Sequence, residues 1–132
     1  MKHGQNGAQK KGGPANAAKH DHVYLRHILN AMNEALELSK GLDEKSFKAN
    51  RTVQLAIITL LQIVGEASKQ VSHDMRSAHA DIPWKKMSGM RDKLLHDYLG
   101  VDMDLIWVTL TKDLPVIKIR VVKVLEPDVK TV

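Results

Sequence analysis

Cysteine is absent from all 132 residues, which excludes disulfides, thiolate metal sites and a cysteine nucleophile together. Aromatic side chains are scarce, with one Phe, two Tyr and two Trp. The core must therefore be built from Leu, Ile, Val, Ala and Met, a palette that suits helices packed on helices better than sheets. Long apolar runs are missing as well: the stretch from Ala56 to Val64 is interrupted by Thr59 and Gln62 and is far too short to cross a bilayer. Lys2, Lys10 and Lys11 are followed by no apolar segment of the kind a signal peptide needs, so the expected location is the cytoplasm, with no membrane partner.

What is present is a balance of 43% hydrophobic and 27% charged residues, typical of a soluble globular chain long enough for one domain. The formal charge of +5 favours an anionic partner, nucleic acid included, although several of the positive charges fall in the first twenty residues.

Residues 1–20 are rich in Gly, Ala, Lys and Asn, contain Pro14 and carry no sustained apolar period, so they read as a flexible N-terminal tail. A helical domain is expected over 21–126, with 127–132 as a C-terminal tail. Asp21 can N-cap a first helix whose apolar face runs through Tyr24, Leu25, Ile28, Ala31, Met32, Ala35 and Leu38 and which Gly41 stops. Val53, Ile57, Leu60, Val64, Ala67 and Val71, spaced alternately four and three apart, predict a second helix as the spine of the core, with Ala56 and Ile63 widening its stripe. The pattern lapses into polar residues between His73 and Ile82, and Pro83 then opens a third helix that runs to about Tyr98 and ends at Gly100. Asp102 caps a fourth, with Leu105, Ile106, Trp107, Leu110 and Leu114 on its apolar face. Pro115 interrupts it, leaving the segment through Leu125 as either a kinked continuation or a separate short helix. The fold class is all-α, a four- or five-helix bundle.

Seven His and fifteen acidic residues could invite a metal, yet no His-x-x-x-His spacing occurs, so none is expected. Gly-rich phosphate loops and a recognisable Ser/His/Asp context are missing too. Met90 to Tyr98 is different, because it gathers Arg91, His96 and Tyr98 at the end of one helix. An arginine holds phosphate in any protonation state, and a histidine exchanges protons near neutral pH. Together they suffice for metal-independent RNA cleavage: the imidazole takes the ribose 2′-OH proton, the oxygen attacks the adjacent phosphate, and the guanidinium stabilises the growing charge. Arg91 and His96 are five positions apart and so about 140° apart on an ideal helix, which makes one helix a poor site and two facing copies in a symmetric dimer a better one. Asp92 and His96 are four apart and share a face, so the carboxylate can orient the ring. Plainer roles stand beside these: a helix-dipole histidine, a surface ion pair for Arg91, and a core-edge Tyr98. Trp84 and Trp107 read as packing anchors.

Arg91, His96 and Tyr98 spell Arg-x4-His-x-Tyr, which resembles the signature of HepT-like toxins of the HEPN superfamily. The stretches 24–29, 63–69, 82–91, 98–102 and 113–115 resemble that family in order and spacing, so the likeness covers about residues 21 to 120. The resemblance implies a HEPN helical bundle acting as a homodimeric endoribonuclease without cofactor, with Arg91 and His96 catalytic. Asp92 holds the polar assisting position, where relatives often carry asparagine. It further implies a type VII-like toxin–antitoxin pair, in which a minimal nucleotidyltransferase antitoxin neutralises the toxin by adding AMP to the tyrosine that corresponds to Tyr98. Glu66, in a family-like Gly-Glu pair on the second helix, is a candidate cleft residue. The alternative for the same fold is a non-catalytic subunit that binds nucleotide or substrate for a nucleotidyltransferase. An intact Arg-x4-His favours the nuclease, and the modest basicity of the folded part favours the alternative.

Overall fold

The computed structural model describes the backbone of residues 4–96 and 102–130, and the side chains of residues 20–90, 92, 93 and 102–126. Among them there is no strand, and the four long helices are α1 (Gly4–Ser39), α3 (Arg51–Gln70), α5 (Trp84–His96) and α7 (Leu114–Lys130). Two short helices, α2 (Glu44–Lys48) and α4 (His73–Ala78), were not anticipated from the apolar period, which segments this brief cannot display. The core joins Leu25, Ile28 and Met32 of α1 to Ile57, Leu61 and Val64 of α3, all essentially inaccessible. Of the predicted α3 stripe, Ile57, Leu60, Val64, Ala67 and Val71 are buried, Val53 and Ala56 are half-buried, and Ile63 stays 43% exposed instead of widening the stripe.

Local chemistry explains the boundaries. Gly41, at φ +83°, reverses the chain after α1, a left-handed conformation that a residue without Cβ adopts freely. Asp43 then opens α2, accepting the Ser46 N–H at 2.8 Å while its own N–H donates to the Ser46 hydroxyl at 2.9 Å. The Ser46 N–H and hydroxyl hold the Asp43 carboxyl below its usual value. Phe47 of α2 is buried and packs on Trp107, ring centroids 5.3 Å apart, so Trp107 is the packing anchor expected of it. Asn50 caps α3 through the Val53 N–H at 3.0 Å.

Asp21 plays a different part from the expected cap. The backbone is already helical upstream of it, so its carboxylate is not needed at a helix start. Instead Asp21, 3% exposed, accepts the Ser72 N–H at 2.7 Å and the Ser72 hydroxyl at 2.6 Å. Ser72 in turn caps α4 through the Met75 N–H at 3.1 Å, so one carboxylate on α1 fixes the junction between α3 and α4.

Past α5, Asp102 caps α6 (Met103–Val108) by accepting the Asp104 and Leu105 N–H groups, as its position predicts. Of the two alternatives at Pro115, the chain takes the continuation: α6 runs through a π turn (Thr109–Asp113) directly into α7. The Leu114 N–H reaches back five residues to the Thr109 carbonyl. The wider turn makes room for a proline ring that lacks an N–H to donate, and the Thr111 hydroxyl takes up the Trp107 carbonyl at 2.7 Å.

Candidate functional site

Helix α5 carries most of the sequence-predicted site, and its inner face anchors it. Met87 is fully buried, Trp84 is 8% exposed, and Met90 packs on the same core, all against a helix layer dominated by α3. The Trp84 indole N–H donates to the His79 carbonyl at 2.9 Å, which fixes the approach to α5 and makes this tryptophan the expected anchor. Pro83 precedes the helix, and its carbonyl accepts the Met87 N–H at 3.0 Å. On the outer side, Lys86 pairs with Asp113 of the π turn at 2.9 Å, and the Arg120 guanidinium of α7 donates to the Asp81 carbonyl. The first turns of α5 are thus held from both flanks.

Further along the helix, Asp92 is an exposed carboxylate whose Oδ1 lies 2.7 Å from the Lys69 ammonium at the end of α3. This cross-helix pair joins positions 23 residues apart. Glu66 sits on the exposed surface of α3, three residues before Lys69 and therefore on the same helical face. The structure thus brings Asp92 of α5 against Lys69 of α3, with Glu66 one helical turn before Lys69. The backbone of Arg91 and His96 lies on α5 beside Asp92, while their side chains, and Tyr98 and Gly100 altogether, lie outside the described residues. Lys69 is the residue that sequence reasoning missed. It ends a basic last turn of α3, but nothing in its local spacing signals a partner on another helix. No group of three His, Asp or Glu that could hold a metal occurs among the described residues.

What such a pair can do follows from its charges. An ammonium beside the Asp92 carboxylate offsets a negative charge where a phosphate would otherwise be repelled. Among the described residues no helix is long and apolar enough to cross a membrane.

A family model described as Ribonuclease HepT-like matches residues 28–124. The chain is 39% identical over 95 residues to the probable ribonuclease HepT of Thermococcus cleftensis, covering 72% of this chain and 86% of that protein. It is 38% identical over 96 residues to a candidate RNase of Methanocaldococcus jannaschii, covering 73% and 88% respectively. A candidate RNase of Caldanaerobacter subterraneus subsp. tengcongensis is 36% identical over 105 residues, covering 80% of this chain and 94% of that protein. No solved structure matches the chain.

Proposed function

The chain belongs to the HepT-like ribonuclease family, and from that premise we propose that it is a cytoplasmic endoribonuclease toxin that cuts RNA without a metal. The functional unit is the helical domain over 21–126, within which the matched segment 28–124 falls. One observation carries this reading: the family match runs through α5, the helix that bears Arg91 and His96, and Asp92 between them pairs with Lys69 of α3.

In this reading the His96 imidazole takes the proton of a ribose 2′-OH, and the freed oxygen attacks the neighbouring phosphorus. Arg91 stabilises the charge that builds on the non-bridging oxygens, and an imidazolium returns a proton to the departing 5′-oxygen. The product is a 2′,3′-cyclic phosphate. Two copies of α5 meet at the axis of a homodimer, which brings together groups that one ideal helix would hold about 140° apart. A minimal nucleotidyltransferase antitoxin adds AMP to Tyr98, two residues past His96, and places negative charge and bulk where the RNA phosphate would sit.

Labelled RNA incubated with the purified protein in EDTA is expected to yield fragments ending in 2′,3′-cyclic phosphate or 3′-phosphate. His96→Ala and Arg91→Ala should each abolish the cleavage. Cleavage only on addition of a divalent metal, or full activity in His96→Ala, would overturn the assignment of roles, and RNA binding without cleavage would favour the non-catalytic alternative.

A further inference from the structure

A cleft of about 400 Å³ opens between α4 and α5. His73, Arg76 and Ser77 line it from α4, and Trp84, Lys85 and Ser88 from α5. Five of these six side chains are polar, Arg76 and Lys85 among them cationic, and among the described residues no carboxylate lines the cleft. The sixth, Trp84, has its ring pinned by the bond to the His79 carbonyl and supplies a fixed apolar floor.

Lys48, Lys69 and Lys86 each lie against a carboxylate, whereas Arg76 and Lys85 have none among the described residues. The Arg76 Nε–H donates to the Ser72 carbonyl at 3.4 Å, which orients the guanidinium while leaving its terminal nitrogens without a described partner. Ser72 is itself held by Asp21, so the arginine stands on a rigid junction. The Ser77 hydroxyl and His73 Nε2 lie 3.3 Å apart, and the Ser88 hydroxyl donates to the Lys85 carbonyl at 3.2 Å. Fixed guanidinium, flexible ammonium, hydroxyls and an apolar floor form the set that receives a phosphodiester with its sugar and base.

Its place on α5 relates it to the catalytic segment. Lys85 lies six positions before Arg91 and eleven before His96, about 9 and 16 Å along the helix axis. Those distances span about three to five nucleotides of a stacked strand at roughly 3.4 Å each. We propose that the α4–α5 cleft is a non-catalytic phosphate-anchoring subsite for single-stranded RNA, holding the strand about three to five nucleotides from the bond that is cut. The placement rests on the ribonuclease reading; the RNA-binding cleft itself does not.

The test uses fluorescence anisotropy with a 2′-O-methyl RNA of about 12 nucleotides, within usual single-strand site sizes and unable to be cleaved because it lacks the attacking hydroxyl. Arg76→Ala and Lys85→Ala should each weaken binding about tenfold and lower the slope of log affinity against log salt by about 1, whereas exposed Lys45→Ala on α2 should change neither. Lys85→Gln, at an exposed position, repeats the loss of charge with the least disturbance of folding, and Arg76→Lys should recover part of the affinity. Unmodified RNA is assayed for cleavage with the same proteins. If the wild type cuts RNA and all variants bind as it does, the subsite is wrong and the ribonuclease reading stands. If binding depends on Arg76 and Lys85 but nothing is cut, the subsite stands and the ribonuclease reading falls. Neither binding nor cleavage overturns both.

Discussion

Asp92 looks unfavourable for a phosphate-handling site until its neighbour is considered. Its carboxylate contacts the Lys69 ammonium, with the two side chains 60% and 33% exposed. An exposed pair of this kind adds roughly 0–1 kcal/mol to stability, so its consequence is expected in substrate binding more than in folding. Lys69→Ala should therefore leave the melting temperature nearly unchanged while raising KM for RNA about twofold to fivefold, the factor to which up to about 1 kcal/mol corresponds. Asp92→Asn in the same chain should restore KM, because the carboxylate charge that Lys69 offset is then gone. An unaltered KM in Lys69→Ala, or no recovery in the double variant, would remove the pair from the site. Tyr98 is the other single residue with a distinct prediction. Co-expression with a nucleotidyltransferase encoded beside it should raise the intact mass by multiples of AMP, and Tyr98→Phe should abolish the gain. A gain that persists in Tyr98→Phe would assign the modification elsewhere.

Between elements, a few polar contacts align helices that apolar burial alone would allow to slide. The Asp21 carboxylate is the clearest case, since it is buried on α1 and receives two hydrogen bonds from Ser72, 51 residues later. Hydrogen bonds to a charged group contribute about 1.5–3 kcal/mol, and Asp21→Ala also leaves the Ser72 N–H without its acceptor. Urea unfolding of Asp21→Ala should show a loss of about 2–3 kcal/mol, with a smaller loss in Asp21→Asn. Exposed Asp74→Ala on α4 should stay within about 0.5 kcal/mol of wild type. Equal stabilities for all three would show that the junction is held by packing alone. Because Ser72 also receives the Arg76 Nε–H, loosening this junction should weaken RNA binding in parallel.

At the scale of the molecule, the proposed site is easier to build from two copies of α5 than from one. Light scattering is expected to give a dimer in solution. Mixing inactive Arg91→Ala and inactive His96→Ala chains in equal amounts should recover up to about a quarter of the wild-type activity when exchange is complete, because about half of the dimers are then mixed and each mixed dimer holds one intact composite site of two. A strictly monomeric and fully active protein would exclude the composite site, and a stable mixed dimer without activity would place both groups in one chain.

Much of this architecture was legible in the chain itself, and the parts that were share a cause: they are local. The α3 stripe, the Gly41 stop, the N-cap at Asp102 and the aliphatic core follow from period, capping chemistry and composition within a few residues. The Arg91–His96 motif and the family likeness were legible in the same way, as residue types at fixed spacing. Short helices α2 and α4 were not, because five or six residues hold too little period to register. Pro115 left two outcomes open, and the π turn that chose between them is a backbone adjustment with no residue-type signal. Asp21 on Ser72, Lys69 on Asp92 and the donor-lined α4–α5 cleft were decided only by tertiary structure. Each joins groups distant in sequence, and hydrogen bonds and charges act over a few ångströms of space whatever the number of residues between them.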